Sequence, residues 1–123
     1  MNTLILLHDR LSISVMLFWG AVGLWGILTY LRGRGMNGSF AGALVIGEAL
    51  VIGQVVAGIA LYTLGARPPS PVHYLYGITG ILVIPFVWSF FRDRDQRQAL
   101  LMYSLVALFI AGLAIRGMTT GRG

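Results

Sequence analysis

Two histidines and one mid-span glutamate are the residues of this chain whose types and positions could do chemistry. His8 sits in Leu7-His-Asp-Arg10 and His73 in Pro71-Val-His-Tyr-Leu-Tyr-Gly77. Each lies at the start of a long apolar stretch. Imidazole is the commonest metal ligand among side chains, and its neutral form is tolerated near a membrane surface. Two imidazoles at matched depth on facing helices could hold a porphyrin iron from both sides. Gly77 and Gly80 follow His73 at +4 and +7, on one helical face. Ser12 and Val15 hold the same places relative to His8. Small side chains beside a ligand leave room for a flat macrocycle. Arg10, Arg67 and Arg116 fall on the histidine side of the chain's topology, and arginine is a natural partner for carboxylates at such a ring's edge. The bland alternatives are interfacial histidines without a ligand, packing glycines and anchoring arginines.

Glu48 is different. It lies in the middle of an apolar run, where an ionised carboxylate costs a few kcal/mol (about 2.5–3.5 for Asp on insertion scales). Proton transfer, quinone binding or coupling in a small transporter would use such a group. A structural reading has it protonated and bonded to Ser14, Thr29, Thr79 or Ser89. Gln54, six residues on, faces another way, so the two do not form one site.

The elements that position these residues are plain in the charge pattern. The chain has 123 residues, 57% hydrophobic and 11% charged, and a mean hydropathy of +0.81. A chain with so few charges cannot coat itself in water. Uncharged or nearly uncharged runs cover 11–31, 35–66 (with Glu48 alone), 72–91 and 98–115. About 20 apolar residues make one helical crossing, so the expected fold is an all-α integral membrane four-helix bundle. Its single domain fills 1–123, with helices over roughly 4–31, 39–64, 72–91 and 97–117. The runs are too long and too uniformly apolar for barrel strands. The first one is too long for a cleavable signal and ends at Arg32 rather than at a small-residue cleavage site. Short connections make sequential helices antiparallel neighbours, which puts His8 and His73 on one side of the bilayer.

The net charge of +5 is all arginine, and those arginines sit at span ends. They read as anchors and topology signals, not as a nucleic-acid surface. Five of them (Arg32, Arg34, Arg92, Arg94, Arg97) lie on the loop side against four on the other, which favours both termini outside, in the periplasm of a bacterial inner membrane. With no cysteine, thiolate ligands, iron–sulfur sites and covalent c-type heme are excluded. No hydrolytic triad, phosphate loop or metal-cluster spacing appears, so the chain does not read as an enzyme. Small residues on helix 1 (Gly20, Gly23, Gly26) and the Ala49-xxx-Gly53-xxx-Ala57 spacing on helix 2 predict close helix packing. Trp19, on the His8 face, is expected either against a cofactor or in the core.

The stretch Gln54-Val-Val-Ala-Gly-Ile59, a proline-containing loop, and His73-Tyr-Leu-Tyr-Gly77 resembles a recurring segment of the heme A synthase family. In that family a Gln-x-x-x-Gly helix leads through a short loop into a helix opening with a heme-ligating His. His8 followed by Arg10 is similar to the family's earlier ligand, and the 65-residue interval from His8 to His73 matches that of one family half. The resemblance covers most of 4–90, one four-helix half of an eight-helix architecture. The family's glutamate one turn before the first His is Leu4 here, and the arginine follows at +2 rather than +1. The resemblance implies a heme b held by His8 and His73, in an electron-transfer or heme-handling complex of the membrane. The alternative is a cofactor-free accessory subunit of a larger assembly, with a Glu48 transporter third.

Overall fold

The computed structural model describes residues 2–65, 71–91 and 95–122. Four helices account for nearly all of them: α1 (Asn2–Leu31), α2 (Gly38–Thr63), α3 (Val72–Phe91) and α4 (Gln96–Arg122). Each is long and apolar enough to cross a membrane. With most backbone groups paired within their own helix, apart from the helix ends and the carbonyl one turn before Pro85 in α3, large apolar side chains such as Leu17, Val45, Phe86 and Leu105 can face outward into lipid.

Local chemistry ends the helices where the apolar runs give way. At the end of α1, Gly33 adopts φ +79°. Its amide donates to the Tyr30 carbonyl, and that of Arg34 donates to Thr29. This is a Schellman cap, whose left-handed residue favours glycine. Gly65 plays a similar part after α2, with φ +96° and its amide on the Tyr62 carbonyl. Asn37 caps the start of α2 by accepting from the Phe40 amide at 2.8 Å, and Asp95 accepts from the Arg97 amide before α4.

The helices form a closed ring in chain order. Each packs on its sequence neighbours, α1 closes on α4, and among the described residues the backbones of the diagonal pairs, α1 with α3 and α2 with α4, stay apart. The most extensive interface is α1–α4 and the slightest is α2–α3. Glycines explain the close α1–α4 approach. A Cβ on Gly23 would strike Leu108 at 2.7 Å, and one on Gly26 would overlap the Ser104 hydroxyl. Trp19 lies wholly buried in the core and donates its indole N–H to the Gly47 carbonyl at 3.2 Å. Gly47 leaves the space the indole fills, since a Cβ there would come within 2.5 Å of the ring.

The small-residue expectation therefore holds on α1 and shifts on α2. Ala57 of the expected spacing is buried, but Gly53 has nothing within 4 Å and Ala49 is exposed, whereas Gly47 and Gly58 make the close approaches. Spacing alone does not say which of two small-residue faces meets another helix.

At the loop end, Arg97 lies over the Tyr30 ring, 4.2 Å from its centroid. Its guanidinium also donates to the Tyr30 carbonyl at 3.1 Å. That side chain fastens the start of α4 to the end of α1.

Candidate functional site

The site lies at the opposite end of the bundle. His8, in the second turn of α1, and His73, in the first turn of α3, come from diagonal helices. Their ring centroids are 6.1 Å apart, with the planes inclined at 68°. Alternating helix direction brings two residues far apart in sequence to one depth, and the open diagonal leaves a space between them. A cavity of about 760 Å³ fills that space and touches all four helices. It falls within the roughly 300–1,000 Å³ typical of small-molecule and cofactor sites.

Each imidazole is held differently. The Nδ1 of His73 lies 3.0 Å from the Gly117 carbonyl of α4. A carbonyl can only accept, so Nδ1 carries the proton and Nε2 carries the lone pair. A backbone bond on one ring nitrogen that fixes the tautomer and the ring's orientation is the usual arrangement around a ligating histidine. His8 rests on α2. Gly58 lies against it so closely that an added Cβ would sit 3.2 Å from the ring's Cε1. One turn away, the Ser12 hydroxyl donates to the His8 carbonyl at 3.0 Å, and the Gln54 side-chain amide donates to that hydroxyl. The Nδ1 of His8 and the Oε1 of Gln54 are buried without a hydrogen-bond partner. Unpaired buried polar atoms cost about 1–3 kcal/mol each.

The remaining residues singled out in the sequence fall in three groups. Gly77 and Gly80 both line the cavity, with Cβ positions 3.7 Å from Val55 and 3.4 Å from Val51. Arg10 and Arg116 are exposed and do not line it. Arg67 lies outside the described residues. Glu48 is away from the cavity, and its Oε1 is buried with no hydrogen-bond partner. Of the partners expected for it, Ser14 and Thr29 instead bond to the carbonyls one turn back in their own helix, those of Arg10 and Trp25.

Gly117 escapes sequence reasoning and Gly58 enters it only as the glycine of the Gln-x-x-x-Gly stretch, although both set how the histidines stand. Gln54 and Ser12 appear there only as parts of a motif and a small-residue pattern. Their roles depend on the register between helices, for which one sequence carries no signal. Among the described residues no group of three or more His, Asp or Glu gathers as an ion site. The arrangement offers two imidazoles, one apolar cavity and a short polar relay through Ser12 and Gln54.

No protein-family model, curated protein or solved structure matches the chain.

Proposed function

We propose that this protein binds one heme b between His8 and His73, as an electron-transfer or heme-handling component of a membrane. The observation that carries the reading is the 6.1 Å separation of the two rings across the bundle diagonal. An imidazole nitrogen sits about 2 Å from a first-row metal it ligates, with the ring centroid about 1 Å behind it, so two rings facing one iron have centroids roughly 6 Å apart. Two imidazoles alone suit a metal poorly, but they suit one whose equatorial positions are filled by a macrocycle. The protonated Nδ1 of His73 and the partnerless Nδ1 of His8 fit the donor set, and Gly77 and Gly80 keep the α3 wall low.

His8 and His73 would hold the iron, while Gly58 and Gly117 set the ring positions. The bound heme would supply one-electron chemistry between ferric and ferrous states. The chain's own part is to exclude water with an apolar lining, to orient both rings, and to place the site near one membrane face. Such a protein works alone or as a subunit of a larger membrane complex. The arginine bias supports an inner-membrane orientation with both termini periplasmic.

Reduced-minus-oxidised visible spectra of the protein purified from heme-replete cells test this. A sharp α-band is expected in the wild type, lost in both His8→Ala and His73→Ala. A colourless wild type would overturn the reading in favour of a cofactor-free accessory subunit. The transporter alternative draws on the unpartnered Oε1 of Glu48, but that carboxyl does not reach the cavity.

A further inference from the structure

The cavity is not enclosed equally on all sides. Its α4 wall contains no exposed residue, and α1 contributes only Ile5 of that kind. On α2 and α3, by contrast, the lining runs out to exposed side chains: Ile59 and Tyr62 on one helix, Tyr74 and Ile78 on the other. The α2–α3 seam is also the slightest helix contact in the bundle. At the histidine end Tyr62 and Tyr74 meet across it, edge to face, with ring centroids 5.9 Å apart, and Tyr74 also touches the His73 ring. Deeper in, Gly77 and Gly80 add no side chain of their own, and their Cβ positions lie 3.7 Å from Val55 and 3.4 Å from Val51 of α2.

We infer that the cavity is loaded sideways from the bilayer, through the seam between α2 and α3, with the Tyr62–Tyr74 pair as its gate. The ligand class that follows is a flat, largely apolar molecule already dissolved in the membrane, not one delivered from water. For heme this rests on the function proposed above and adds the route. A seam thinned on one side by two glycines needs only the Val51 and Val55 side chains to shift for a planar ring to pass edge-on. Two aromatic side chains in edge contact can swing apart by rotamer changes, without moving either helix.

The chain has no cysteine, so an introduced thiol is a unique probe. Ala114 lines the cavity from α4, across the bundle from α2. In nanodiscs, where both faces meet water, Ala114→Cys is expected to react with a membrane-dissolved apolar maleimide at least tenfold faster than with a sulfonated, membrane-impermeant one. Each rate is taken relative to the same variant unfolded in denaturant. Adding Tyr62→Ala and Tyr74→Ala should raise the apolar rate several-fold, while Tyr62→Phe with Tyr74→Phe, which keeps both rings, should leave it unchanged. Equal labelling by the two reagents, or no response to loss of the rings, overturns the lateral route. Hemin binding is read separately, by absorbance. A protein that stays colourless with hemin yet labels in the expected pattern overturns the heme reading and leaves the portal standing.

Discussion

Gly58 gives the sharpest test of how His8 is held. Mid-helix glycine costs roughly 0.5–1 kcal/mol relative to alanine, so Gly58→Ala should gain about that much on backbone grounds. Against this stands one contact, the new methyl 3.2 Å from His8 Cε1. That is a few tenths of an ångström inside ordinary van der Waals contact, so the ring must move by about that amount. Metal–ligand bonds tolerate about 0.2 Å, so the displacement is comparable to the tolerance. Disturbing the surroundings of a ligating histidine typically costs 10–100-fold in metal affinity, and a tenfold loss corresponds to about 1.4 kcal/mol. Gly58→Ala is therefore expected to keep or slightly raise the unfolding midpoint in detergent while weakening hemin binding about tenfold. Gly58→Val, with branches that push further into the ring, should abolish the bis-imidazole spectrum. Gly53→Ala is the control: nothing lies within 4 Å of its Cβ position, so it should gain the backbone term and bind hemin normally. Unchanged hemin affinity and spectrum in Gly58→Val would refute the placement of His8 as a ligand.

Loss of the His73 ring should be repaired chemically: His73→Gly is expected to regain a six-coordinate absorbance spectrum on addition of millimolar imidazole, and His73→Gln should not. Gly26→Ala drives a methyl into Ser104 and Phe40 and should destabilise the bundle by about 1–3 kcal/mol, measured by denaturant titration in micelles, with Ser104→Gly restoring much of it. Trp19→Ala should cost about 3–5 kcal/mol by the same measurement, because the indole fills the space beside Gly47 and bonds its carbonyl. Glu48→Leu removes a carboxyl whose Oε1 lacks a partner and should raise stability by about 2–3 kcal/mol; as Glu48 lies off the cavity, hemin absorbance should not change.

The bundle was legible because lipid imposes one rule on every residue of a span. The charge gaps locate α3 to the residue and α2 to within three, and Gly33 and Gly65 mark where α1 and α2 must turn. Where hydropathy is silent the reading falls short: α4 continues through Arg116 and Gly117 to Arg122, since neither residue obliges a helix to stop. The histidine pair was legible in depth, because two short loops decide which helices start on one side. Its seating was not. Whether Gly53 or Gly58 meets a neighbour depends on rotation about the α2 axis, and the four-residue small spacing runs through Gly53 rather than Gly58. Trp19 shows the limit on a single face, since +11 from His8 fits cavity wall and core alike, and only the position of Gly47 decides.

The closure of the ring between α1 and α4 has a consequence for biogenesis. Helix α1 leaves the ribosome well before α4, its main partner. Until α4 arrives, the surface of α1 around Gly23 and Gly26 faces lipid or whatever membrane factor shields it. Its indole has only α2 to rest on. Contacts of such long sequence separation form late and slowly. The α1–α4 seam, with Arg97 clasping Tyr30 at one end, should therefore be the last to set, and a chain stalled after α3 would be a substrate for membrane quality control rather than a smaller working protein.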